Sequence, residues 1–277
     1  MKTLSAVLLF AAALSFAEAP KAPAPAAPPA PKVVMRLDRS VDWRKPALFT
    51  AVDDGALRVS MSAKLPAKSA FPVRASKRYR CTLKLRRAPG SGPSAFYLIF
   101  DATMDDGRPI RMVNVTAIRR TQATVVSAVA KGATTLTVRP ALERTWSATY
   151  GGCVCFYAKE DFSDLPNYAV SPKMKSVAQN PDGTVLVTLG GPLGFDVPAG
   201  TPARIHATGS NLYVIQVPQV PVEWTEYSGE VQGVLTVPDW TNQSFPLKTA
   251  WAAPAILANW GAKGTAIEIK DLRIEEL

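Results

Sequence analysis

The chain has 277 residues, of which 47% are hydrophobic, and a net charge of +10 at pH 7; that length holds one large or two ordinary domains. The composition excludes a generally disordered chain. A strongly basic balance favours anionic partners, and with no nucleic-acid-binding motif in the sequence, nucleic acid is set aside.

In chain order, residues 1–17, MKTLSAVLLFAAALSFA, fit a signal peptide. Lys2 is the positive start, Leu4 to Leu14 the apolar stretch and Ser15-Phe16-Ala17 a small-x-small cleavage site. No later stretch is apolar for long enough to cross a membrane as a helix. The expectation is a secreted protein, extracellular or periplasmic, with no integral membrane segment after cleavage. Residues 18–32, EAPKAPAPAAPPAPK, form a Pro/Ala-rich linker with the composition of an extended spacer.

Nearly every periodic segment that follows has period two. ALRVSMSA (56–63) is a short strand after the turn Asp53-Asp54-Gly55. In KRYRCTLKLRR (77–87), Tyr79, Cys81, Leu83 and Leu85 share one face, and Arg78, Arg80, Thr82, Lys84 and Arg86 share the other. APGSGPS breaks that strand, AFYLIFDAT (95–103) reads as its returning partner, and RPIRMVNVTAI as a further strand. From about Thr116, strands are expected within 121–138 (two, around Lys131-Gly132), 151–159, 184–189 and 202–208, separated by turn-rich segments. The only helical candidates are a turn near Ser163-Asp164-Leu165 and a short piece around Leu142–Arg144. In the last strand, Ile267 and Ile269 have one parity and Leu272 and Ile274 the other, so a β-bulge is expected at Lys270-Asp271.

The fold class is therefore all-β. RYRCTLKLRRAPG, with Tyr entering alternating hydrophobics and ending in Arg, resembles the recurrent strand of galactose-binding-like, jelly-roll carbohydrate-binding modules. WAAPAILANWGAKGTAIEIKDLRIEEL resembles their closing strand pair, in which the last strand returns beside the first. The resemblance covers roughly 33–115 and 216–277 and implies a discontinuous jelly-roll sandwich. The departing middle, 116–215, is then an inserted small β-barrel or β-sandwich domain. No ligand-binding residue carries over from the resemblance itself.

Aromatic residues are the leading functional candidates, because sugar C–H faces stack on flat rings and exposed tryptophan is otherwise rare. Trp240, in the turn-like PDWTNQS, is the residue most expected to be exposed. Trp224 and Tyr227 have opposite parity, so at most one faces a core in a regular strand; Trp251 is undecided, and Trp260 is expected on an apolar face. The basic face Arg78, Arg80, Lys84 and Arg86 could meet successive anionic groups of a uronate or sulfated chain, or serve as a solvated sheet face. Asp101, Asp105 and Asp106 suggest a structural calcium corner, against the alternative of a solvated turn; no other cofactor is implied.

The single histidine, His206, lies in PARIHAT, and no hydrolase, metalloprotease or P-loop motif is present. Three cysteines are expected as buried free thiols, with a bridge from Cys81 to Cys153 or Cys155 as the alternative. Asn114 and Asn242 head glycosylation sequons. The leading expectation is non-catalytic binding of a polysaccharide or glycan, favouring acidic ones. The alternatives are a structural or adhesive surface protein that uses the insert for protein contacts, and a glycan-active hydrolase or lyase.

Overall fold

A computed structural model describes residues 30–142, 146–148, 151–209 and 211–277. The expected signal peptide, nearly all of the linker and most of the helical candidate at 142–144 lie outside these residues. Nineteen strands are present among the described residues. In chain order the first eight are β1 (Lys32–Arg36), β2 (Thr50–Ala51), β3 (Leu57–Val59), β4 (Ala63–Pro66), β5 (Phe71–Pro72), β6 (Arg78–Arg87), β7 (Phe96–Thr103) and β8 (Pro109–Ile110). A single helical turn, α1 (Met112–Val115), precedes β9 (Ala123–Val125), β10 (Thr135–Pro140), β11 (Cys153–Phe156), β12 (Val170–Gln179), β13 (Val185–Leu189) and β14 (Pro202–His206). The last five are β15 (Leu212–Val217), β16 (Thr225–Val234), β17 (Ser244–Phe245), β18 (Trp251–Ala258) and β19 (Ile267–Glu276).

The strands form two open sheets and a closed barrel, which makes the protein all-β as expected. A seven-stranded sheet runs β17-β16-β6-β19-β3-β2, with β1 also on β19; a six-stranded sheet runs β15-β7-β18-β4, with β5 on β18 and β8 on β7. The barrel closes through β10-β13-β12-β11-β14-β9. The expected division at 215–216 falls inside β15, which pairs with β7 from Leu212↔Phe100 to Val217↔Phe96.

The two open sheets pack face to face because their inward positions alternate as period two requires. Tyr79, Cys81, Leu83 and Leu85 of β6 meet Phe96, Leu98 and Phe100 of β7 in one buried core. Phe71, Tyr79, Phe100 and Phe245 form an edge-on and tilted cluster with centroids 5.2–6.4 Å apart. The Tyr79 hydroxyl accepts from the Arg74 N–H at 2.8 Å, so its polar end stays satisfied. Val154, Phe156, Val185, Val187 and Ile205 fill the barrel.

Three expectations are corrected. β7 does not return beside β6: the seven-residue break APGSGPS carries the chain to the opposite sheet, where β7 pairs with β18. RPIRMVNVTAI yields only β8 and then α1, because the Asn114 side chain accepts from the Arg111 N–H at 2.9 Å and starts a turn there. Strand β12 is not expected from the sequence, since Pro172 and five polar or charged residues mask its alternation and a bulge breaks its register against Cys153 and Cys155. The bulge in β19 is present: register against β6 shifts between Lys270 and Arg273, and Asp271 takes φ 57°.

All three cysteines are free and buried. Cys81 lies in the sandwich core and the other two on the barrel, so the alternative bridge is not formed. Burial pushes the Cys81 thiol up, and pushes Cys153 and Cys155 up to about 11 and about 12. All three are inert thiols rather than nucleophiles.

On the outer side of the seven-stranded sheet, Glu268 is fully buried and clamped between two arginines. Arg58 Nη2 donates to one carboxylate oxygen at 2.6 Å and Arg86 Nε to the other at 2.6 Å. Burial alone would raise the Glu268 carboxyl, but the bonds and charges of both arginines outweigh it and hold it below the usual carboxylate range. Glu268→Ala leaves two partly buried guanidiniums unpaired and should cost about 2–3 kcal/mol, read from urea denaturation. Its contribution is complete above pH 4.5, the carboxyl's ordinary value, and is lost as pH falls through the lower folded-state value. An acid-side stability curve identical in the wild type and the variant would show that the clamp contributes nothing.

Candidate functional site

A cleft of about 660 Å³ opens where the six-stranded sheet meets the two chain crossings that lead to and from the barrel. Three kinds of segment build it. The β7 residues Phe100 to Thr103 and Ala253 of β18 give the sheet surface, Gly107 and Pro109 to Arg111 the outgoing crossing, and Gly209 with Asn211 the returning one. Arg44, Lys64 and Pro66 line it at the β4 edge, and Trp240 lines it from the loop between β16 and β17.

Its chemistry is cationic with one carboxylate. Lys64 Nζ holds Asp101 Oδ1 at 2.7 Å, with both side chains about 40% exposed. Arg44 Nε donates to the Ala67 carbonyl at 3.3 Å, and neither Arg44 nor Arg111 has a carboxylate partner among the described residues. The indole of Trp240 is half-buried and packs against both the sandwich core and the small cluster of Ala102, Ile110 and Val115. Volume, a flat aromatic and convergent polar groups are what a small-ligand site needs. Among the described residues, Asp101 is the only carboxylate lining the cleft, and no second acid opposes it there as glycoside hydrolysis would need.

The sequence candidates divide between two faces. Trp240 and Asp101 reach the cleft, and Trp251, about 40% exposed, stands beside it, paired across strands with Thr103. The remaining basic and aromatic candidates lie in the seven-stranded sheet or, for Trp224, just before its strand β16. Arg78 and Arg80 bind Glu230 at 3.5 and 2.8 Å, Lys84 binds Asp271 at 3.1 Å, and Arg86 binds Glu268. Cross-strand carboxylates thus engage every member of that basic face, although Glu230 serves two arginines and Glu268 is shared with Arg58. Trp224 lies between Arg86 and Lys270, each 4.5 Å from its ring centroid, and Tyr227 packs half-buried against the sandwich core. The calcium corner does not assemble. Asp101 is held by Lys64 and Asp106 by Arg108 at 2.7 Å, and no metal-binding group of three or more His, Cys, Asp or Glu occurs among the described residues.

The residues missed in the sequence are Arg44, Lys64, Arg111 and Asn211. Each sits in an ordinary local context, and only the topology brings them together. Trp260, expected on an apolar face, is 50% exposed, because β18 ends at Ala258 and Asn259 turns left-handed with φ 49°.

Behind the cleft, a buried polar chain ties barrel to crossings. His206 Nδ1 donates to the Val113 carbonyl of α1 at 2.7 Å, and its Nε2 accepts from Arg204 Nε at 2.8 Å. Arg204 Nη2 reaches Asp164 Oδ2 at 2.6 Å. Asn114, buried, donates to the Asn167 carbonyl at 3.0 Å. Burial is the main force lowering His206, to about 4, and the Arg204 charge adds to it against the Val113 hydrogen bond.

No family model matches the chain, and no curated protein matches it. Among solved structures, the arabinose-bound α-L-arabinofuranosidase MgGH51 matches over 89% of this chain at 7% identity and a TM-score of 0.29. The chain spans about a quarter, 26%, of that enzyme's length. A likeness of that strength establishes neither a shared fold nor a shared activity.

His206 sets an acid limit on this junction. With 6.5 as its ordinary value and about 4 when folded, the neutral imidazole's contribution is complete above pH 6.5. It is lost as pH falls from there to about 4, roughly 3 kcal/mol in all. His206→Gln should flatten the stability profile across that window in chemical denaturation; an unchanged slope would rule the role out.

Proposed function

We propose that this chain is an exported, non-catalytic glycan-binding protein whose cleft takes acidic polysaccharide. The observation that carries the reading is one aromatic wall, Trp240, facing a cleft with three cationic side chains and one carboxylate. An indole takes the C–H face of a sugar ring, and guanidiniums suit carboxylate or sulfate groups through forked hydrogen bonds. The Lys64–Asp101 pair offers both donors and acceptors to ring hydroxyls. The protein's basic balance draws in an anionic chain. Kinship with jelly-roll carbohydrate-binding modules belongs to the same reading; the two facing sheets and the pairing of β19 with β1 support it. The signal-like residues 1–17 support export.

The test is calorimetric titration with oligogalacturonate and chondroitin sulfate oligosaccharides against neutral cello-oligosaccharides. Binding should favour the acidic ligands and weaken with added salt. Trp240→Ala should weaken it by about two- to tenfold, the worth of one stacked ring. Arg111→Ala, at an exposed position where folding is not at risk, should reduce the preference for acidic over neutral ligands. Absence of binding to every glycan, or binding indifferent to both substitutions, would overturn the proposal.

A further inference from the structure

At the end of the sandwich away from the cleft, a second aromatic platform is built on a fully bonded support. Asn259 is fully buried, and its amide uses both ends. Nδ2 donates to the carbonyls of Val59 at 2.9 Å and Met61 at 3.1 Å, and Oδ1 accepts from Ser94 Oγ at 2.7 Å and Thr265 Oγ1 at 3.3 Å. Every hydrogen-bonding position of that side chain is thereby filled. It pins together the loop after β3, the break before β7 and the turn between β18 and β19. The next residue is Trp260, whose N–H donates to the Ala95 carbonyl at 3.2 Å and whose side chain is 50% exposed. Gly261 and Gly264 follow with φ 77° and 65°, values that let the turn close tightly without a Cβ penalty. A tryptophan left half in water on so well bonded a support has its backbone position fixed before any ligand arrives.

The exposed area decides what fits there. Half of Trp260 and half of Met61, which is 47% exposed, leave on the order of 200 Å² of apolar surface. Val222, 55% exposed on the adjoining 218–224 segment, adds only modestly to this. The total falls well short of the roughly 800 Å² per partner of a stable protein interface, and it suits one flat ring. Residues flanking Met61 and in the same turn as Trp260, namely Ser60, Ser62 and Lys263, are polar and exposed, which suits a hydroxyl-bearing ligand.

We infer that Trp260 is a second, independent glycan contact, a stacking platform for a single sugar ring. It stands on the order of 20 Å along β18 from the cleft-lining Ala253. The inference rests on the glycan reading of the cleft and extends it: two contacts this far apart engage separate stretches of one polymer, or two neighbouring chains. Short oligosaccharides then read only one contact at a time, whereas a long or immobilised polymer reads both and gains avidity.

The experiment follows the indole N–H resonances on adding hexagalacturonate to wild type and to Trp240→Ala, the Trp260 signal being assigned by its loss in Trp260→Phe. The expected result is a saturable shift of the Trp260 signal in both proteins. Trp260→Ala should cut retention on immobilised polygalacturonate about tenfold or more. It should leave the affinity of the cleft for a disaccharide unchanged, and Trp260→Tyr, which keeps a flat ring, should restore most of the retention. If cleft signals shift and Trp260 stays silent, the second platform is overturned and the cleft stands. If no tryptophan responds to this ligand or to the chondroitin sulfate oligosaccharides, the glycan reading fails and takes the platform with it.

Discussion

Everything distinctive about this molecule depends on what one strand, β7, must pair with. On one side it takes β18 along its whole length, from Phe96↔Ala258 to Thr103↔Trp251. On the other side it takes two strands end to end: β15, which reaches Phe100 through Leu212, and β8, which pairs Ala102 with Ile110. These two strands are where the chain leaves for the barrel and where it returns. Backbone groups at both crossings are thus satisfied by the same sheet edge, and the crossings are forced side by side. An ideal Cβ on Gly209 would overlap the end of the Met112 side chain, so outgoing and returning segments touch there. The cleft is the hollow left around that point, which is why its wall draws on β7 and on both crossings.

A second tie links the barrel to those crossings. Asp164, Arg204, His206 and the Val113 carbonyl form one unbroken hydrogen-bonded chain, and Asn114 with Asn167 form a strap beside it. A buried ion pair is weak evidence of net stability. Its value here is geometric, because Arg204 can satisfy Asp164, His206 and the Lys159 carbonyl together in one arrangement only. The same strap makes Asn114 a structural residue. Its side chain is buried and bonded at both ends, so the sequon it heads is occupied by packing.

The fold class was legible because period two survives in the strands that face a core on one side only. Tyr79 to Leu85 and the slipped parity of Ile267 to Ile274 gave a half-buried strand and a bulge without any tertiary information. What was lost had physical causes. Strand β12 carries Pro172 and exposed lysines, so alternation fails as a signal there. Whether β7 returns beside β6 or crosses to the other sheet depends on sheet closure, which a loop's composition does not encode. Trp260 kept the parity of its apolar neighbours until Asn259, a single left-handed residue, turned the chain and delivered it to solvent. Of the candidate site, polar neighbours singled out Trp240, but the expectation that it is the most exposed tryptophan is corrected: it is half-buried against two apolar clusters, while Trp251 and Trp260 are exposed. Arg44, Lys64 and Arg111 come from segments up to about 67 residues apart and carry no local mark.

Charge follows the same division between local pattern and tertiary arrangement. The run Arg78, Arg80, Lys84, Arg86 is the most conspicuous basic feature of the sequence, yet its carboxylate partners, Glu230, Glu268 and Asp271, lie some 150 or more residues later and are delivered by β16 and β19. Folding therefore commits the densest basic stretch to internal pairs and leaves less conspicuous cations unopposed by carboxylates. A guanidinium already held by a carboxylate has little to gain from an anionic ligand, which must displace that partner first. One such as Arg111, exposed at the mouth of a concave surface, loses no partner on binding. Availability rather than density of charge thus moves the anionic-ligand reading from the face that the sequence emphasises to the one built by β7 and the two crossings.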